Sequence, residues 1–302
     1  MISGKRIALT VVAAIAVMLL PITQAGAQQK PNILFIMGDD IGWMRLVSYQ
    51  QGLGIGETPN LDRIANEGAK FMTYYAEQSC TAGRNAFFTG MNPLRTGMIP
   101  PQLPGSPSYL RPGTPALAKF RYDLGYTTGE FGKNHLGDHT DALPTAHGFQ
   151  EFWGNLSIIV FTTDNGPQTQ TFPDGGITPF KANKLTTWEG GMRVPLVIRW
   201  PGVIKPGTMK TEIFASLDWL PTFVEIAGGP KGNDLNKQIM EGKYPGIVKT
   251  KLDGVNQIDY LTGKSEKSAR DVFFYYTGAT PSVVRYKNWK VYFSAQVKEN
   301  TR

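Results

Sequence analysis

Two continuous apolar runs, each ending in acidic residues, constrain this chain more than any other feature. Ile33-Leu34-Phe35-Ile36-Met37 leads into Gly38-Asp39-Asp40, and Ile158-Ile159-Val160-Phe161 leads through Thr162-Thr163 into Asp164-Asn165-Gly166. A run without polar alternation marks a strand buried on both faces of a parallel sheet, and hence an α/β fold. Ligands in such sheets bind beyond the carboxyl ends of the strands, where these groups lie. Neighbouring carboxylates repel one another unless a cation compensates them, so the two ends together suit a hard divalent ion held by oxygen atoms. An exposed acidic turn is the alternative for either end, since Asp, Asn and Gly all favour turns. No His or Cys cluster has the spacing of a zinc site, which leaves Ca²⁺ or Mg²⁺.

The single cysteine of the chain, Cys80, stands just before an apolar run in Gln78–Met98, within Cys80-Thr81-Ala82-Gly83-Arg84. That position predicts the first turn of a helix, where free backbone N–H groups favour a developing anion. Arg84 follows one helical turn later, so its guanidinium faces the same place. A small buried thiol without a chemical role is the alternative.

Helical patterns begin at Thr58-Pro59, at Thr114-Pro115 and at Ser216 or Asp218, and end at Gly68, Gly125 and Gly228-Gly229. Strands are expected at Phe71–Tyr75, Tyr126–Phe131, Val194–Trp200, Val272–Tyr276, Ser282–Tyr286 and Trp289–Phe293, the last two joined as a hairpin around Lys287-Asn288. Residues 231–250 are basic, Gly-rich and weakly patterned, and read as a loop. The expected strand Tyr126–Phe131 runs into Gly132-Lys133-Asn134-His135. In an extended segment Lys133 and His135 point to one side, which suits an oxyanion site with a proton carrier; an exposed polar loop is the alternative.

Residues 1–27 read as a secretory signal peptide: Lys5 and Arg6, an apolar stretch Ile7–Leu20 too short for a comfortable span, and Ala25-Gly26-Ala27 before the cut. An uncleaved anchor is the alternative. Cleavage after Ala27 implies a secreted or periplasmic protein with no stable membrane association. One cysteine forms no internal disulfide, so Cys80 stands unpartnered in an oxidising compartment, which favours a chemical role. Without Lys5 and Arg6 the chain carries 29 basic against 24 acidic residues, a mild excess suited to anionic substrates but not gathered into the runs that nucleic acid requires.

The segments ILFIMGDDIGW, TPNLDRIANEGAKF, CTAGRNAFFTG, FGKNHLGD, FTTDNG, EGGMRVP and LDWLPTFVEIAG resemble those of sulfatases, in the family's order, and bacterial arylsulfatases in particular. The resemblance implies an alkaline-phosphatase-like α/β sandwich, its largely parallel central sheet flanked by helices, with a small C-terminal antiparallel subdomain. It implies that Cys80 is oxidised by a maturation enzyme to formylglycine, whose hydrated aldehyde attacks sulfate esters. Asp39, Asp40, Asp164, Asn165 and the modified Cys80 would bind one Ca²⁺ or Mg²⁺. Arg84, Lys133 and Lys184 would hold the sulfate and the formylglycine hydroxyls, and His135 would move the proton that regenerates the aldehyde. The partner is then a sulfate-ester small molecule or a sulfated glycan.

The chain departs from the family pattern between Leu156 and Ser157. There sulfatases continue through a long segment with a further core strand and a histidine that protonates the leaving group. No histidine follows His147 here, and the terminal subdomain is short. The expected organisation is a signal peptide over 1–27, a catalytic domain over 28–250 lacking that segment, and a truncated subdomain over 251–302. Two alternatives follow: a phosphomonoesterase or phosphodiesterase of the same superfamily, or an inactive remnant that binds anions. The first sits poorly with Cys80 and the lack of His ligands; the second draws on the missing segment.

Overall fold

The computed structural model describes residues 30–53, 56–98, 106–150, 158–171, 175–176, 179–277 and 279–293. The expected signal peptide over 1–27 and the Leu156–Ser157 junction lie outside the described residues. No helix among the described residues is long and apolar enough to cross a membrane.

The strands are β1 (Ile33–Gly38), β2 (Ala69–Phe71), β3 (Tyr74–Tyr75), β4 (Ile158–Thr163), β5 (Val197–Arg199), β6 (Thr208–Lys210), β7 (Phe214–Ala215), β8 (Val272–Thr277), β9 (Thr280–Tyr286) and β10 (Trp289–Tyr292). The main sheet has the order β1-β4-β5-β2-β6. Its strands run one way except β5, which is antiparallel to both neighbours. The sheet is therefore mixed and largely parallel, with helices packed on it, and β8, β9 and β10 form the small antiparallel C-terminal sheet. The sequence called for this architecture.

Six helices matter to the argument: α1 (Pro59–Asn66), α2 (Cys80–Thr89), α3 (Leu117–Asp123), α4 (Trp219–Ile226), α5 (Asp234–Glu241) and α6 (Ile258–Thr262). The largest core cluster joins the inner face of the sheet to α2 and α4. Phe35 of β1 stacks on Phe87 of α2 at 4.0 Å and meets Trp219 of α4 edge-on at 5.7 Å. Removing such side chains from water stabilises by roughly 25 cal/mol for each Å² of apolar surface buried.

The structure corrects several expectations. Strand β1 sits at the edge of the sheet, pairing only with β4 among the described residues, so it is half-buried rather than covered on both faces. Tyr126–Phe131 forms no strand, because no described strand lies alongside to accept its hydrogen bonds. The expected strand Phe71–Tyr75 is split, β2 joining the main sheet while β3 pairs with β7. Within the expected loop 231–250 lies α5, whose Leu235 and Ile239, four residues apart, are both buried. Its glycine- and lysine-rich flanks hid that pair. The helix expected from Thr114 begins at Leu117, with Ala116 offering no side-chain cap.

Candidate active site

The register of β1 on β4 builds the site. Gly38 pairs with Thr163, so the two strands end level and set Asp39-Asp40 beside Asp164-Asn165. The ends are stitched together: the Asp40 N–H donates to Asp164 Oδ1 at 3.3 Å and the Ile41 N–H to Thr163 Oγ1 at 3.2 Å. Asp40 holds a left-handed backbone (φ 59°), which Asp tolerates better than most residues. Asn165 Nδ2 donates to Asp40 Oδ1 at 2.7 Å, while Asn165 Oδ1 is buried without a hydrogen-bond partner.

Helix α2 delivers Cys80 and Arg84. Ser79 is its N-cap, accepting from the Ala82 N–H, and Gly90 closes it with φ 63°. Cys80 opens the helix, as its position before the apolar run predicts. Gly83 permits the close approach: a Cβ there would lie 1.9 Å from the Asp164 carbonyl oxygen. Arg84, almost fully buried, donates from Nε to Asp164 Oδ2 at 3.0 Å and from Nη1 to the Lys133 carbonyl at 2.5 Å. Its Nη2 lies 3.8 Å from Asp39 Oδ1.

Two lysines close the cluster. Lys133 Nζ donates to Asp39 Oδ2 at 2.7 Å. Lys184 Nζ donates to Asp40 Oδ1 at 2.5 Å and to Cys80 Sγ at 2.7 Å. Both arrive on loops. Lys184 is fixed by its own N–H on the Pro167 carbonyl and by the Leu185 N–H on the Gln78 carbonyl. The segment after Phe131 is not extended, with Gly132 at φ 109° and His135 at φ 62°, so the alternation expected of Lys133 and His135 does not apply. His139 stacks on Tyr109 at 4.1 Å, and buried His147 has Nε2 3.0 Å from the Asp141 carbonyl.

The electrostatics follow from this crowding. Burial raises the Asp39 carboxyl, but hydrogen bonds with Lys133 and Asp164 and the charges of Lys133 and Arg84 outweigh it, leaving it below the usual carboxylate range. In Asp164 burial wins: Arg84 opposes it, the charge of Asp39 adds to it, and the carboxyl sits above that range. Burial likewise pushes the Cys80 thiol up, with Lys184 opposing and Asp164 and Asp39 adding. A raised thiol is a weak nucleophile at neutral pH.

Asp39, Asp40 and Cys80 each offer a ligand atom, all within 4.8 Å of one another. With the orphaned Asn165 Oδ1 and the destabilised Asp164 carboxyl beside them, the cluster is a candidate metal site, its carboxylate and amide oxygens the donors that suit a hard cation. Sequence reasoning missed two residues of this neighbourhood. Gly83 stood in view inside the cysteine motif, but nothing local revealed what it touches. Glu77 is fully buried with Oε1 unpartnered, and burial pushes its carboxyl up to about 8.

A family model described as Sulfatase matches residues 31–159 and 156–229. The chain belongs to the sulfatase family. This sulfatase is 27% identical to arylsulfatase A of Bos taurus, over 86% of this chain and 73% of that protein. It is 35% identical to N-acetylgalactosamine-6-sulfatase of Rattus norvegicus, over 69% of this chain and 64% of that protein. Among solved structures it is similar in fold to PsFucS1 sulfatase from Pseudoalteromonas sp., with a TM-score of 0.74, 20% identity, and 96% of this chain and 81% of that one covered. Ps i-CgsB, solved in complex with k-i-k-neocarrahexaose, gives a TM-score of 0.70 at 19% identity, covering 87% of this chain and 83% of that one.

Proposed function

We propose that this sulfatase cleaves sulfate esters through a formylglycine made from Cys80, assisted by one Ca²⁺ or Mg²⁺. The observation that carries the reading is the meeting of Cys80 with Asp39 and Asp40, ligand atoms within 4.8 Å, at a helix start that also presents Arg84. Asp39, Asp40, Asp164, Asn165 and the modified Cys80 hold the cation. Bound there, the cation supplies charge stabilisation to the sulfuryl oxygens and to the hydroxyls of the hydrated aldehyde.

The chain's own side chains do the rest. Lys184 already touches Cys80 Sγ, so its ammonium steadies a hydroxyl at that position. Lys133 and Arg84 line the approach from the Asp39 side and bind the anionic group of the ester. His135 moves the proton that regenerates the aldehyde. A hydrated aldehyde answers the weakness of the buried thiol, because one of its hydroxyls attacks sulfur while the other later releases sulfate.

The substrate is a sulfate-ester small molecule or a sulfated glycan. The protein is exported on residues 1–27 and matured by a formylglycine-generating enzyme, and its catalytic domain spans 28–250 with the subdomain over 251–302. The absence of a long segment near 156–157 draws support from the two-part family match, and from an alignment to bovine arylsulfatase A that runs 389 residues although this chain has 302.

Intact mass of the secreted protein, with the mass of its Cys80 peptide, tests the reading. Conversion replaces CH₂SH by an aldehyde, giving a loss of mass and a carbonyl-reactive peptide. An unmodified thiol in active protein ends it.

A further inference from the structure

A groove of about 510 Å³ runs along the edge of β1 that pairs with no strand among the described residues. One wall is β1 itself, the floor carries Phe87 and Phe88 of α2, and the far wall is the segment 126–133 that forms no strand. The groove opens at the site: Asp39, Arg84 and Lys133 line one end. At the other end Tyr126 donates to the Pro31 carbonyl, which places it at the start of β1, and the Arg121 guanidinium lies 4.0 Å from the Tyr126 ring. Six strand residues make that course roughly 20 Å long.

Between these ends the lining is largely apolar, with Thr127, Thr128 and Glu130 on the far wall. Ile36 is 37% exposed and Phe131 76% exposed, both bordering the groove. Two of the polar side chains along the far wall are already engaged, Thr128 donating to the Gly148 carbonyl and Glu130 accepting from Asn134. A sugar seated here would give up hydrogen bonds to water and find few in return, an expensive exchange. A hydrocarbon or aromatic body would lose nothing polar and would cover Ile36 and Phe131. The cationic groups at the site end complement an anion on that body's head.

We propose that this groove takes the apolar body of an amphiphilic sulfate ester, an alkyl-substituted aryl sulfate, with the sulfuryl head at Arg84 and Lys133 and the tail along β1. The proposal rests on the sulfate-ester reading above and adds the shape and polarity of the alcohol portion.

The test separates the two. Binding of 4-alkylbenzene sulfonates, whose carbon–sulfur bond is not an ester and is not hydrolysed, is followed by calorimetry on the purified protein, with tails from methyl to octyl. Dissociation constants should fall by roughly two- to fourfold for each methylene seated, until the groove is filled. Ile36→Gln and Phe131→Ser, both at exposed positions that leave the fold intact, should flatten the series while nitrophenyl sulfate turnover is unchanged. A tail-length series without hydrolysis of any ester would keep the groove and sink the sulfatase reading. Turnover of nitrophenyl sulfate with dissociation constants indifferent to tail length would sink the groove alone. Binding of an apolar peptide at β1, again with no effect of tail length, would overturn the proposal in favour of strand addition at that edge.

Discussion

The carbonyl oxygen of Asp164 sits where a Cβ on Gly83 would be, 1.9 Å from the ideal position. The helix that starts at Cys80 is thus pressed directly against the end of β4, and the third position after the cysteine has to be glycine for its first turn to reach the acidic cluster. A side chain there forces backbone to move, since nothing flexible stands in the way.

Gly83→Ala should therefore do more than its small volume suggests. Overpacking of this kind costs about 1–3 kcal/mol, and the displaced turn carries Cys80 and Arg84 with it. The expected result is a melting temperature several degrees lower and loss of anion binding, read by thermal unfolding with and without sulfate. An unchanged melting temperature with full sulfate binding would contradict the close approach.

Cation linkage gives a second expectation. A ligand that binds only the folded state at a hundred times its Kd stabilises by about 2.7 kcal/mol, or about 4–5 °C in a protein of this size. Ca²⁺ or Mg²⁺ should raise the melting temperature by that order and chelation should reverse it. Asp164→Ala should abolish the response, since it deletes the carboxylate at the end of β4. Identical melting curves with either ion and with chelator would argue against a cation site.

Glu77 predicts a pH dependence whose sign is fixed. Its carboxyl is raised to about 8 in the folded protein by burial, against the unfolded value near 4.3. The folded state therefore binds the proton more tightly, and the favourable contribution is present below about pH 4 and lost as pH rises towards 8. Glu77→Gln should leave stability at pH 5 nearly unchanged and raise it at pH 8.5, flattening the slope between them. Parallel melting-temperature profiles for the two proteins would refute this.

Much of the site could be read from the chain because its carriers are local. The runs Ile33–Met37 and Ile158–Phe161 end in carboxylates, and their strands pair in register, so Asp39-Asp40 and Asp164-Asn165 meet as the pattern implies. Arg84 follows Cys80 by one helical turn and faces the same cluster. Lys184 was legible through its place in a family-like segment, since a loop lysine has no periodicity to betray its target. What stayed hidden depends on distant neighbours. The edge position of β1 is set by which strand lies beside it, and the failure of Tyr126–Phe131 to form a strand has the same origin. Glu77 owes its raised carboxyl to burial that no short window contains, and Gly83 owes its necessity to a carbonyl 81 positions away in the chain (164 − 83).

The last expectation concerns the leaving group. Arg84, Lys133 and Lys184 surround the cluster, and in the proposed mechanism they bind the anionic ester. A proton donor for the departing alcohol is harder to supply. The chain has three histidines: in the proposed mechanism His135 regenerates the aldehyde, while His139 is stacked on Tyr109 and His147 is buried against the Asp141 carbonyl. Loss of a general acid typically costs about 10²–10⁴-fold in rate, and the cost scales with the basicity of the leaving group. A nitrophenolate departs without protonation, whereas a sugar alkoxide does not. Turnover of nitrophenyl sulfate should therefore exceed that of a sugar sulfate by roughly that factor, measured on protein whose Cys80 is fully converted. Comparable fast rates on both esters would mean another residue delivers the proton, and His139→Ala and His147→Ala would identify it. No turnover on either, with sulfate still bound, would mark the chain as an anion-binding remnant.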